Sequence, residues 1–276
     1  MSIADTIFKQ NCADILQNGY RDDALDVRAR WADGTPAHTI KRFGVINRYD
    51  LSREFPALTL RKTNLRAAID EILWIWQRKS NDIHDLNSHI WDNWADEHGS
   101  IGKAYGYQLG VKHRYPEGEF DQVDRMLYDL RHNPQSRRML TNIYVHQDLS
   151  EMRLYPCAYS LTLNVSGDTL NALLNQRSQD MLVANNWNVC QYAILVHMFA
   201  RHAGLRVGEL VHVIADAHIY DRHIPMVENL LMLEGFDAPV LEMDAAIENF
   251  YDFRVESFRL ANYRYASSKL NPPLAI

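Results

Sequence analysis

The stretch YPCAYSLTLNVSGDTLNALLNQRSQD, residues Tyr155–Asp180, reads as two strands joined by a turn. From Tyr155 to Val165, Cys157, Tyr159, Leu161, Leu163 and Val165 alternate with smaller or polar residues, the period-two pattern of a strand with one face on a core. Ser166-Gly167-Asp168 supplies turn chemistry and Thr169 to Ser178 forms a second run, which predicts an antiparallel hairpin. Folding back in this way leaves Cys157 and Arg177 at the same open end.

Working outward, Val189 to Ala203 is apolar around most of its circumference and closes at Gly204, the pattern of a buried helix with a glycine stop. Val207 to Tyr220 reads as another strand, after which Asp221 is expected to cap a helix carrying Ile224, Val227, Leu230 and Leu231 and ending at Gly235. Earlier in the chain, Leu65, Ala68, Ile69, Ile72 and Trp76 recur at helical spacing and give way to the polar Lys79-Ser80-Asn81-Asp82. Val123, Met126, Leu127 and Leu130 mark a second helix from about Gln122, stopping near Asn133-Pro134 because proline disfavours the α conformation of its predecessor. Arg137 and Arg138 follow that stop. No repeat, low-complexity tract or Gly/Ser/Pro linker interrupts the chain. The expected fold is of the α/β (α+β) class: a single domain over residues 1–276 with a large mixed β-sheet packed against several helices.

The 276 residues, 47% hydrophobic and 23% charged, can bury a sizeable core. No apolar run suggests a membrane span, and Met1-Ser2-Ile3-Ala4-Asp5 carries no secretory signal, so the expected location is cytoplasmic. Three unevenly spaced cysteines, Cys12, Cys157 and Cys190, argue against a disulfide framework. A net charge of -6 disfavours a broad grip on nucleic acid or an acidic membrane but leaves room for a small anion held by a few arginines. Twelve histidines fall at no recognisable metal-ligand spacing, and no metal is expected.

A lone strand cysteine is more often a small core residue than a nucleophile. Arg177 across the hairpin changes the weight, because a guanidinium facing Cys157 lowers the thiol pKa and can fix an anionic ligand as well. Glu71, in line with Ala68 and Ile75 on the edge of an apolar helix face, is a candidate acid/base whose pKa desolvation would raise; the bland alternative is a partly exposed glutamate with a salt-bridge partner. His218 and Tyr220, two apart on a strand, point to one face and can share one sugar hydroxyl, or can be satisfied core residues.

From about Asp26 to Ile276 the chain resembles the thymidylate synthase family. The resemblance is carried by Phe55-Pro56-Ala57-Leu58-Thr59, Asp70-Glu71-Ile72-Leu73-Trp74, Ile90-Trp91-Asp92 with Trp94, Tyr105-Gly106, Asp121-Gln122, Ser136-Arg137-Arg138, Pro156-Cys157, Gln176-Arg177-Ser178 with Asp180, Asn188, His218 with Tyr220, and Leu274-Ala275-Ile276. It implies reductive methylation of dUMP to dTMP, with 5,10-methylenetetrahydrofolate as carbon donor and hydride source leaving as dihydrofolate. It implies Cys157 as nucleophile toward uracil carbon 6 and Glu71 as proton shuttle through ordered water, with Tyr105 and Trp91 lining the chamber. Arg28, Arg177 and a pair given by the second subunit of a homodimer, Arg137 and Arg138, would hold the phosphate, with Ser178, Gln179 and Asp180 beside them. Asn188 would read the uracil edge, His218 and Tyr220 the sugar, and Asn64, Trp91, Trp94, Asp180 and Ala275 the folate.

Several positions depart from the family's commonest wording. Ala158 stands where histidine is usual after the cysteine, and Val183-Ala184-Asn185-Asn186-Trp187 replaces a Leu-Gly-x-Pro-Phe run. Ala215 and Ala217 replace glycine and threonine, Arg61-Lys62 inverts the usual order, and the loop from Arg28 to His38 is long and offers Arg30 as a rival to Arg28. These departures keep two alternatives open: a pyrimidine nucleotide 5-hydroxymethylase of the same family, and a catalytically idle nucleotide- or RNA-binding regulator. Intact Cys157, Glu71 and Arg177 argue against idleness, and the acidic balance argues against RNA as a primary partner.

Overall fold

The computed structural model describes residues 1–267 and 270–276. In chain order the elements are α1 (Ile3–Asn18), β1 (Tyr20–Arg21), β2 (Thr39–Asp50), α2 (Leu65–Trp76), α3 (Gly106–Gly110), β3 (His113–Tyr115), β4 (Gly118–Phe120), α4 (Gln122–His132), β5 (Leu140–Asn142), β6 (Ala158–Ser166), β7 (Thr169–Asp180), α5 (Asn185–Ala203), β8 (Arg206–Tyr220), α6 (Ile224–Met232), β9 (Val240–Met243) and β10 (Phe258–Ala261). Six strands form one sheet in the order β1-β2-β8-β7-β6-β5. β7 and β8 run parallel while every other neighbouring pair is antiparallel, so the sheet is mixed. A parallel pair needs a crossover, and α5 supplies it, packing back on both strands.

The expected hairpin forms with Ser166 opposite Thr169, and Gly167 takes the left-handed conformation, φ 65°, that the tight turn requires. Its far end differs from the simple alternation. β6 begins at Ala158 rather than Tyr155, and a bulge between Ala158 and Ser160 shifts the register. Ala158, Leu161, Leu163 and Val165 are therefore the buried set, and Tyr159 is only half-buried.

α5 starts four residues earlier than its apolar pattern. Asn186 takes part because its side chain is satisfied by tertiary partners: Oδ1 accepts from Leu58 N (2.9 Å) and Thr63 Oγ1 (2.7 Å), and Nδ2 donates to Pro56 O (2.8 Å). α5 ends at Gly204 with φ 67°. Asp221 does not cap α6. It lies in a short 3-10 turn, where Oδ1 accepts from Trp31 Nε1 (3.1 Å) and from Arg222 N (2.7 Å), and α6 runs only to Met232.

α2 buries nearly its whole circumference, packing on α5, on α3 and on the segment before β10. Trp74, Ile69 and Ile72 are almost completely covered, each contributing about 1.5–3 kcal/mol of transfer free energy. The opposite face of the sheet is open: Leu173, Val211 and Val213 are half-buried and Ile46 is exposed. No described helix is long and apolar enough to cross a membrane.

Candidate active site

Every site residue expected from the sequence, except Arg137 and Arg138, lines one cleft of about 600 Å³ at the open end of the β6–β7 hairpin. Arg137 and Arg138 are exposed after α4, and Arg138 borders a separate cavity of about 720 Å³ that includes neither Cys157 nor Glu71.

Cys157 sits just before β6, tied to β7 by Arg177 N–H donating to Cys157 O (2.9 Å). The Arg177 guanidinium donates to Pro156 O (3.0 Å) and Tyr155 O (2.8 Å), which aims Nη2 at Cys157 Sγ, 3.8 Å away. Tyr105 Oη accepts from Cys157 N at 3.2 Å. Burial pushes the Cys157 thiol up, and Arg177 and Tyr105 only partly offset it, so the net direction is upward rather than the lowering expected from Arg177 alone. Tyr105 itself has φ 47°, a strained conformation for a bulky residue. Gly106 beside it lies where a Cβ would come 2.3 Å from Ser80 O, so the close backbone contact that holds this turn requires glycine.

Glu71 is not a partly exposed glutamate with a salt-bridge partner. It is buried, 7% exposed, and its carboxylate collects three N–H donors. Oε1 accepts from Trp91 Nε1 (2.7 Å), and Oε2 accepts from Trp187 Nε1 (2.5 Å) and Gln191 Nε2 (2.7 Å). Desolvation raises its pKa, the three donors oppose it, and the neighbouring Asp70 charge adds to the rise. Neither Trp187 nor Gln191 was singled out from the sequence as a partner of Glu71. The available signal was Gln191 itself, an amide on a helix that is apolar around most of its circumference, three residues after Asn188 and four after Trp187 on the same helical face. Asn188 Oδ1 accepts from Gln176 Nε2 (3.2 Å) and Gln179 Nε2 (3.3 Å).

At the other end, His218 and Tyr220 stand edge to face with centroids 5.1 Å apart, and His218 Nδ1 meets Asp216 Oδ1 at 2.8 Å. Asp180 Oδ1 accepts from Leu182 N (2.8 Å) and Val183 N (3.0 Å), and its Oδ2 lies 3.6 Å from His223 Nδ1. Burial pushes the Asp180 carboxyl up, but His223 and His218 bring it net below the ordinary range. Between the two loop arginines, Arg28 lines the cleft, whereas Arg30 is engaged by Asp26 (3.0 Å) and the Val27 carbonyl. Asn64 lies at the cleft edge as the N-cap of α2, its Oδ1 accepting from Ala67 N at 3.4 Å. Trp91 and Trp94 meet edge to face at 5.8 Å. Ala275 belongs to a C-terminal tail that is pinned where Ile276 and Arg30 exchange two backbone hydrogen bonds, 2.8 and 2.9 Å. Among the described residues no group of three or more His, Cys, Asp or Glu is arranged to hold a metal ion.

The family model described as thymidylate synthase matches residues 6–276. Thymidylate synthase 1 of Bacillus subtilis (strain 168) is 42% identical over 275 residues, covering 98% of this chain and 98% of that protein. The thymidylate synthase of Bacillus licheniformis is 43% identical over 270 residues, 96% of each. The solved structure of thermostable thymidylate synthase A from Bacillus subtilis superposes with a TM-score of 0.94 at 41% identity, covering 99% of both chains. With a cysteine, its guanidinium neighbour and a desolvated carboxylate in one cleft, and with relatives alike over their whole length, the chain belongs to the thymidylate synthase family and is a methyltransferase of dTMP biosynthesis.

Proposed function

We propose that the enzyme converts dUMP to dTMP with 5,10-methylenetetrahydrofolate as co-substrate, as a cytoplasmic homodimer in which residues 1–276 work as one domain. The observation that carries this reading is the convergence of the Cys157–Arg177 pair and the Glu71 carboxylate on one cleft. Cys157, as thiolate, adds to carbon 6 of the uracil, and the displaced π pair moves through carbon 5 to the oxygen at carbon 4. Arg177 supports the thiolate by charge and the phosphate by its remaining donors, together with Arg28, Ser178 and Gln179. Asn188 reads the pyrimidine edge, and His218 and Tyr220 receive the sugar hydroxyl.

Glu71, desolvated and held by three N–H groups, moves protons at the base. The cleft suits a reduced folate: Ile72, Trp91, Trp94 and Leu182 give flat apolar walls, Asp180 offers a carboxylate to ring nitrogens, and Asn64 and Ala275 border the rim. Bound folate supplies the methylene carbon and then a hydride, leaving as dihydrofolate. For this, carbon 5 would attack the methylene, loss of its proton would expel the folate nitrogen, and the hydride would add to the resulting exocyclic methylene as the Cys157 thiolate leaves, which restores the base and frees the enzyme.

The open apolar sheet face at Leu173, Val211, Val213 and Ile46 supports association with a second copy. Arg137 and Arg138, exposed and outside their own cleft, are available to a partner's phosphate site. Sedimentation of the purified chain at twice the monomer mass is the expected outcome. Product analysis tests the reaction: dihydrofolate with dTMP is expected, whereas tetrahydrofolate with a hydroxymethyl nucleotide would move the chain to the hydroxymethylase branch. No turnover despite tight nucleotide binding would fit an idle regulator.

A further inference from the structure

We infer that Gln191 is a positioning residue that joins the pyrimidine-reading amide of Asn188 to the carboxylate of Glu71 and sets the polarity of both. The inference rests on the roles proposed above for Asn188 and Glu71. Gln191 is 2% exposed and lies at the wall of the cleft, and its amide is engaged at both ends by protein groups. Nε2 donates to Ala68 O (3.2 Å) and to Glu71 Oε2 (2.7 Å), and Oε1 accepts from Asn188 Nδ2 (3.1 Å).

A backbone carbonyl only accepts, so Ala68 O fixes which end of the Gln191 amide faces α2. The oxygen must then face Asn188, and Asn188 must turn its amino group toward Gln191. The opposite side agrees. Gln176 Nε2 and Gln179 Nε2 donate to the carbonyls of Ser178 (3.0 Å) and Asp180 (3.3 Å) and also to Asn188 Oδ1. Carbonyls at both ends thus impose one orientation on Asn188, and reversing it would set donor against donor and acceptor against acceptor among the buried amides of Gln176, Gln179 and Gln191. The N–H left on Asn188 Nδ2 needs an acceptor, which uracil offers at carbon 4 and cytosine, with an amino group there, does not.

At Glu71 the same residue acts on the proton. Oε2 is occupied by Trp187 and Gln191, while Oε1 takes only Trp91, so the exchanging proton is directed to Oε1. The other titratable groups around this carboxylate are Asp70 on its own helix, Tyr105 and Tyr192.

The test uses the full-length enzyme, with kcat, KM for dUMP and the rate on dCMP measured from about pH 5 to 9. Gln191→Met keeps the volume and removes both links; kcat should fall about tenfold, KM for dUMP rise several-fold, and the acid limb move up by about half a pH unit. Gln191→Glu keeps an acceptor for Asn188 but sets a second carboxyl against Glu71; KM should stay near wild type while the acid limb rises by about one unit or more. Wild-type parameters in Gln191→Met, or a loss of kcat with neither a KM change nor a moved limb, would overturn the inference. If that variant does not fold, an unmoved acid limb in Gln191→Glu overturns it alone. Glu71→Gln and Cys157→Ser separate the two levels: turnover retained in them would sink the site reading and this inference with it. Turnover lost in them beside wild-type behaviour of the Gln191 variants sinks only the inference.

Discussion

Trp187 donates its indole N–H to Glu71 Oε2 at 2.5 Å, joining the first turn of α5 to the middle of α2 across 116 residues of sequence. A phenylalanine, the family's usual residue here, fills similar space but brings no donor. Trp187→Phe should therefore remove one stabilising contact from the ionised carboxylate and leave the Asn188 contacts in place. Glu71 already has a raised pKa, so the active carboxylate is lost as pH falls through that value, and losing a donor raises it further. The acid limb of kcat should move up by about half a unit with KM for dUMP nearly unchanged. A pH–rate profile that superposes on wild type would remove Trp187 from the machinery.

Much of the fold was legible in the sequence, and the reason is periodicity; most of the site residues came from the family resemblance instead. The hairpin, α2, α4, α5 and β8 each carry an apolar pattern matching their structure, and the hairpin alone brings Cys157 to Arg177. The bulge at Ala158 was not legible, because alternation does not record which residue of a strand lacks a partner. Nor was the early start of α5: Asn186 enters the helix on bonds to Leu58, Thr63 and Pro56, all distant in sequence. Glu71 was visible as a carboxyl on an apolar helix, but its partners Trp91, Trp187 and Gln191 come from two other segments. Patterning tells which face is buried; it does not tell which polar groups meet inside.

Arg177 faces a thiol that burial holds above its ordinary pKa. Replacing it by methionine keeps much of the volume and removes the charge that opposes desolvation. The thiolate fraction near neutral pH should drop, and alkylation of Cys157 by iodoacetamide should slow about tenfold for each unit of further rise. Cys12 and Cys190 are fully buried with strongly raised thiols and serve as an unreactive background, checked with Cys157→Ser. Equal alkylation rates in wild type and Arg177→Met would show that the guanidinium does not act on the sulfur.

Stability offers a test away from the cleft. Asp5 is completely buried; Oδ1 accepts from Thr59 N (2.7 Å) and Leu60 N (3.2 Å), and Oδ2 from Thr59 Oγ1 (2.5 Å) and Ser2 N (3.2 Å). Asp5→Ala strands these donors without water to replace their acceptor, costing about 2–4 kcal/mol. The melting temperature should fall by roughly 5–10 °C. A change under about 1 °C in calorimetry would mean that α1 is not anchored through this carboxylate.

The C-terminal tail and the loop that carries Arg28 are held by the same contacts, so loosening one should loosen the other. Ile276 N–H donates to Arg30 O (2.9 Å) and Arg30 N–H to Ile276 O (2.8 Å), while His223 Nε2 donates to Pro273 O (2.8 Å). Deleting Ile276 should raise KM for the folate about tenfold and weaken dUMP binding by a smaller factor, read by steady-state kinetics and calorimetry. His223 adds a pH dependence. Burial lowers its pKa, but Asp180 and the Pro273 carbonyl raise it more, and the net direction is up. Folding therefore favours the protonated ring relative to the unfolded chain, and its contribution is full below the ordinary histidine value and is lost as pH rises through the raised one. Hydrogen exchange in the tail, corrected for the intrinsic rate, should become less protected across that window in wild type and not in His223→Gln. The same pH dependence in both proteins would place the switch on another group.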